Sequence, residues 1–68
     1  MVKTVLKICG LKNNKDVVKV KNAITSNEGI IACKIDKESK NVEIVYDDYF
    51  VNDDKIAESI EKLGYTII

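Results

Sequence analysis

The sequence predicts an α+β fold of order β-α-β-β-α-β, and three observations carry that prediction. Three runs, VKTVLKI, IIACKID and VEIVYD, are strand-like, with apolar residues recurring at alternate positions. Two intervening stretches place Val17, Val20, Ala23 and Ile24, and then Ile56, Ile60 and Leu63, at helical spacing. Glycines 10, 29 and 64 and the pair Asn27-Glu28 punctuate these segments where an element has to stop.

The first strand, over residues 2–8, turns Thr4, Leu6 and Ile8 to the inside and Lys3, Val5, Lys7 and Cys9 to the other face, because side chains alternate across a strand. Gly10 ends it. The first helix, over 14–26, has one apolar stripe and stops at Asn27, Glu28 and Gly29. The second strand, 30–36, is expected to point Ile31, Cys33 and Ile35 inward, and KESKN makes a polar hairpin connection. The third strand puts Val42, Ile44 and Tyr46 on one face. Asn52 is a good N-cap for the second helix, Asp53 and Asp54 suit its positive end, and Val51 and Ile56 stand where a hydrophobic staple needs them. That helix ends at Gly64, and YTII forms a fourth strand. Four strands with one apolar face and two helices with one stripe each bury both by stacking the helices on one side of an antiparallel sheet. Right-handed crossovers make this a ferredoxin-like sandwich, a single domain over residues 1–68.

Composition narrows the function. The 68 residues contain eleven lysines, no arginine and no histidine. Without histidine the commonest general base and metal ligand is missing, and without arginine so is the fork that grips phosphate or carboxylate. No serine or cysteine is visibly paired with a base, so an enzyme is not expected. The net charge is zero, but residues 1–21 hold six lysines against Asp16, a balance of +5, and the remainder carries −5. Such a chain has no general attraction to nucleic acid, and an RNA-recognition module would need aromatic rings on the open sheet face, where this one offers Glu43, Val45 and Asp47. No run approaches the roughly 20 apolar residues that span a bilayer, so no membrane insertion is expected. Cys9 and Cys33 are two thiols, not a disulfide framework, and fit a reducing, cytoplasmic compartment.

The strand-to-helix loop GLKNNKD, residues 10–16, is a place where a small domain of this kind can hold a site. With Asn13 as N-cap, Asp16 is the third helical residue. The amide oxygen can accept from a first-turn N–H while the carboxylate reaches back, which makes a capping box.

From Lys3 to Tyr65, without a gap, the chain resembles a heavy-metal-associated domain, the unit of bacterial copper chaperones and of the N-terminal tails of metal-exporting P-type ATPases. Gly10-Leu11 stands where that family has Gly-Met. Val17, Val20, Ala23 and Ile24 match its first-helix stripe, and Gly29-Ile30 its Gly-Val turn. VEIVYD, Val51, Ile56, Ile60 and EKLGY resemble its second half. The resemblance implies binding and handing on copper(I) or another soft metal through two cysteines three apart. Those positions are Asn13 and Asp16 here, a hard amide and a hard carboxylate, too few for calcium or magnesium and unsuited to a soft ion. The conventional site is therefore expected to be absent and no cofactor is expected. Cys9 is the one remaining weak candidate ligand, and Cys33 reads as core. By resemblance, Leu11 and Tyr65 flank the metal loop. Lys12, Lys15 and Lys19, with Lys21, form a basic face that would dock on an acidic partner domain of a metal-transporting ATPase or chaperone, from a chain expected to be monomeric. Lys3 and Lys7 are expected to pair with Glu43 and Asp47 across the sheet.

Overall fold

A computed structural model describes all 68 residues. Its elements are β1 (Val2–Cys9), α1 (Asn14–Thr25), β2 (Ile30–Asp36), β3 (Asn41–Tyr46), α2 (Asp53–Glu61) and β4 (Thr66–Ile67). The strands form one antiparallel sheet in the order β2-β3-β1-β4. This is the ferredoxin-like arrangement, and it places β3 between β1 and β2.

Ile8, Val20, Ile24, Val42, Ile44, Ile56 and Ile60 are wholly buried and draw on strands and helices alike, so the core lies between the sheet and the helical layer. Leu11, Tyr46 and Val51 close its margins. The two helices are tied to each other by Asn27, whose Nδ2 donates to Ser59 Oγ at 3.0 Å and also to the carbonyls of Ala23 and Ile24. Asn52 caps α2 as predicted, its Oδ1 accepting from the Lys55 N–H at 2.8 Å, and the staple residues Val51 and Ile56 are both in the core.

Three expectations are corrected. Ile31 does not point inward: the register against β3 slips between Ile30 and Ala32, and this bulge turns Ile30 toward the core and leaves Ile31 59% exposed. Leu63 is not part of the α2 stripe; the helix has already ended at Glu61, and Leu63 lies 45% exposed in the turn before Gly64. Lys3 does pair with Glu43, Nζ to Oε1 at 2.6 Å, but Lys7 cannot meet Asp47. The antiparallel register sets Lys7 opposite Asn41, at the far end of the sheet from Asp47.

Gly29 has a positive φ of 95°, and a Cβ there would lie 2.7 Å from the Cβ of Phe50. Only glycine allows both the turn and that approach. The Gly29 carbonyl accepts from the Asp47 N–H at 2.8 Å, so the entry to β2 and the exit from β3 are fixed together.

Candidate functional site

Gly10, with φ 107°, ends β1 and lets the chain turn toward α1; a Cβ there would stand 3.2 Å from the ring of Tyr65. Leu11 then drops into the core, 6% exposed, and anchors the loop from below. Asn13, in an extended conformation, caps α1 as the sequence predicts. Its Oδ1 accepts from the Asp16 N–H at 3.1 Å, and Asp16 Oδ2 accepts from the Asn13 N–H at 3.3 Å and the Lys12 N–H at 3.0 Å. The other carboxylate oxygen accepts from the Tyr65 hydroxyl at 2.5 Å.

Asp16 and Tyr65 are 49 residues apart in sequence, so no local pattern announces this bond. It is nevertheless the strongest electrostatic feature of the loop. The Tyr65 hydroxyl, then the Lys12 and Asn13 N–H groups and the nearby Lys19 charge, hold the Asp16 carboxyl below its ordinary range, against some opposing desolvation. The same bond to Asp16, with partial burial added, pushes the Tyr65 phenol up to about 12.

The lowered carboxyl fixes the sign of a pH effect. The Asp16 network adds stability above the unfolded-chain value of about 3.9 and loses it as pH falls through the lowered folded value. In Asp16→Asn that part of the acid loss is expected to vanish, which urea midpoints of both proteins between neutral and acid pH would read. In Asp16→Ala the Tyr65 phenol should titrate nearer the usual value of about 10. Asn13→Ala should cost about 1 kcal/mol through the lost cap.

As metal ligands these groups do not fit a soft ion. Both carboxylate oxygens and the amide oxygen are hard, and each already accepts a hydrogen bond. No group of three or more His, Cys, Asp or Glu side chains is gathered anywhere to hold a metal. Cys9 is exposed beside the loop, where it pairs with Thr66. Cys33 is half-buried in β2, on the far side of β3, and burial pushes its thiol up. The two thiols share no site.

Lys12, Lys15 and Lys19 are exposed, and a shallow depression of about 380 Å³ on α1 is lined by Asn14, Lys15, Val18 and Lys19. Val18, 55% exposed, escaped the sequence reading. It stands one residue past the half-buried Val17, a rotation of about 100° that keeps it off the stripe that buries Val20 and Ile24 and between two lysines.

No family model matches the chain, and no curated protein matches it in sequence. Solved structures do match by shape. A CopZ metallochaperone superposes with a TM-score of 0.95 at 22% identity, covering 98% of this chain and 100% of its own. A copper binding domain from HMA7, a P-type ATPase, gives 0.94 at 20%, covering 100% and 92%. A putative copper-ion-binding protein from Bacillus anthracis str. Ames gives 0.94 at 21%, covering 98% and 94%. The ferredoxin-like fold of this chain is thus shared over nearly its whole length with a metallochaperone and with a copper binding domain of a P-type ATPase.

Proposed function

We propose that this chain is a heavy-metal-associated domain, derived from copper or soft-metal binding and trafficking modules, that does not bind Cu(I) in the usual way. It acts by docking its basic loop and first helix on an acidic partner domain, that of a metal-transporting ATPase or chaperone, in the cytoplasm. It is a non-enzymatic module.

The observation that carries this reading is the state of Asn13 and Asp16. At the two positions where the family places its thiolates, every side-chain acceptor is engaged in capping α1 or in holding Tyr65. The loop is organised from within, and what it turns outward is lysine. Rim charges of this kind steer a partner more than they bind it, so their contribution depends on salt.

A Cu(I) titration of the reduced chain against a competing chelator, with backbone amides followed by NMR, tests the metal half. No copper should leave the chelator, and the amides of residues 10–17 should stay in place. Uptake with shifts at those amides would overturn the reading, and its loss in Cys9→Ser would identify Cys9 as the ligand. For the docking half, Lys12→Glu with Lys15→Glu should weaken binding of an acidic partner domain by about tenfold, as should raised salt; binding indifferent to both would remove this face from the account.

A further inference from the structure

The two ends of the sheet carry unlike surfaces. Toward the loop end lies the α1 depression, with Val18 between Lys15 and Lys19. At the opposite end, where β3 runs out beside the start of β1, Tyr49 and Phe50 project from the β3–α2 connection, 86% and 54% exposed. Their rings are in edge contact, with centroids 5.1 Å apart, and Phe50 is seated over Gly29. Neither ring belongs to the core. The Asp47 carboxylate fixes the turn by accepting from the Tyr49 N–H at 3.0 Å, and Asp48, Asp53 and Asp54 complete an acidic collar in the same connection and the first turn of α2. Neither the collar nor Lys15 and Lys19 forms an ion pair within the molecule, whose ion pairs are Lys3–Glu43 and Lys62–Glu58; Lys19 feels the Asp16 carboxylate only at longer range.

An aromatic pair left in solvent and a shallow apolar hollow rimmed by cations are complementary. Rings accept apolar contact from valine and a lysine ammonium over their faces, and the carboxylates meet the remaining positive charge. We propose that the chain is self-complementary: the Tyr49–Phe50 knob with its acidic collar seats in the Lys15–Val18–Lys19 depression of a second copy. This rests on the docking reading above, since it uses the same α1 face, and it names the partner chemistry that face takes. The two surfaces differ, so the contact is heterologous and runs head to tail instead of closing a twofold dimer. Two rings and one valine make a small contact, at the transient end of interface sizes, so dilute chain is monomeric and association appears as concentration rises.

The test uses the whole chain at low salt. Across a dilution series, amides of residues 14–19 and 47–51 should move together, and raised salt should suppress the movement. Tyr49→Ser with Phe50→Ser removes the knob, and Lys15→Glu with Lys19→Glu reverses the depression; each should weaken self-association about tenfold or more. Tyr49→Ser alone guards against a folding defect from losing Phe50 over Gly29. Each double variant keeps one live surface, so mixing the two should restore a contact that stops at a pair, read by sedimentation. Amides that ignore dilution, or a mixture that restores nothing, overturn the proposal. Poly-glutamate separates its failure from that of the docking reading: α1 amides that answer poly-glutamate but not dilution leave the basic face standing and rule out the second copy, and amides that answer neither remove both.

Discussion

Replacing Asn13 and Asp16 together by cysteine is expected to give a chain that takes Cu(I) from a competing chelator which the parent leaves untouched. Two thiolates on that spacing can approach one ion from opposite sides, and soft sulfur suits Cu(I) where an amide and a carboxylate do not. The backbone around them already follows that of the metallochaperone and the copper binding domain described above, with TM-scores of 0.95 and 0.94. The substitution has an opposite effect on the apo chain. It removes the capping box and strips Tyr65 of its carboxylate partner, so the metal-free variant should be less stable than the parent by about 1 kcal/mol or more. Copper should reverse that order, since a ligand at a thousand times its dissociation constant stabilises the native state by about 4 kcal/mol. Thermal unfolding of both chains with and without Cu(I) would show the curves crossing. A variant that is destabilised and still holds no copper would mean that this loop is not shaped as in the family.

Ile44→Ala is expected to remove a large fraction of the chain's stability at 25 °C. Ile44 is wholly buried in β3, one of the two central strands, and stands opposite Thr4 of β1 and Cys33 of β2. Deleting such a side chain costs about 2–5 kcal/mol, from lost burial and from the cavity left behind. The total stability of a domain this size is roughly 3–10 kcal/mol, so one substitution removes a large fraction of it. Far-ultraviolet circular dichroism and a urea titration would read the loss. The exposed Val5, on the outer face of the neighbouring strand, is the control: Val5→Ala should shift the urea midpoint little.

The sequence made legible what depends on neighbours along the chain. The Asn13 and Asn52 caps and the Val42–Ile44–Tyr46 face follow from spacings of two to four residues and stand in the structure as expected; of the α1 stripe, Val20 and Ile24 are buried and Val17 and Ala23 only half-buried. The misses are those where a distant partner or a local irregularity decides. Strict alternation sent Ile31 inward because a bulge leaves no mark in a run of apolar residues. Lys7 was given Asp47 because pairing register is set by the whole sheet, not by either strand. At the candidate site, the cap was legible and the Tyr65 hydroxyl on Asp16 was not, since that bond joins the first helix to the chain's last segment. The exposure of Tyr49 and Phe50 was likewise not legible: the staple marks Val51 as inward, but nothing in the spacing says that the two rings before it stay in solvent.

The bulge between Ile30 and Ala32 bears on how this chain avoids aggregation. β2 is an edge strand, and its apolar run IIAC carries neither a charge nor a proline to discourage pairing with another chain. A flat edge of that kind offers a row of unpaired backbone groups to any other strand. Here the extra residue bends the strand at its most apolar point, and Lys34 follows as a charge in its second half. The opposite edge, β4, is only two residues long. Both margins of the sheet are therefore poor templates for another strand, and deleting Ile31, the extra residue, would leave β2 with a straighter and more regular edge.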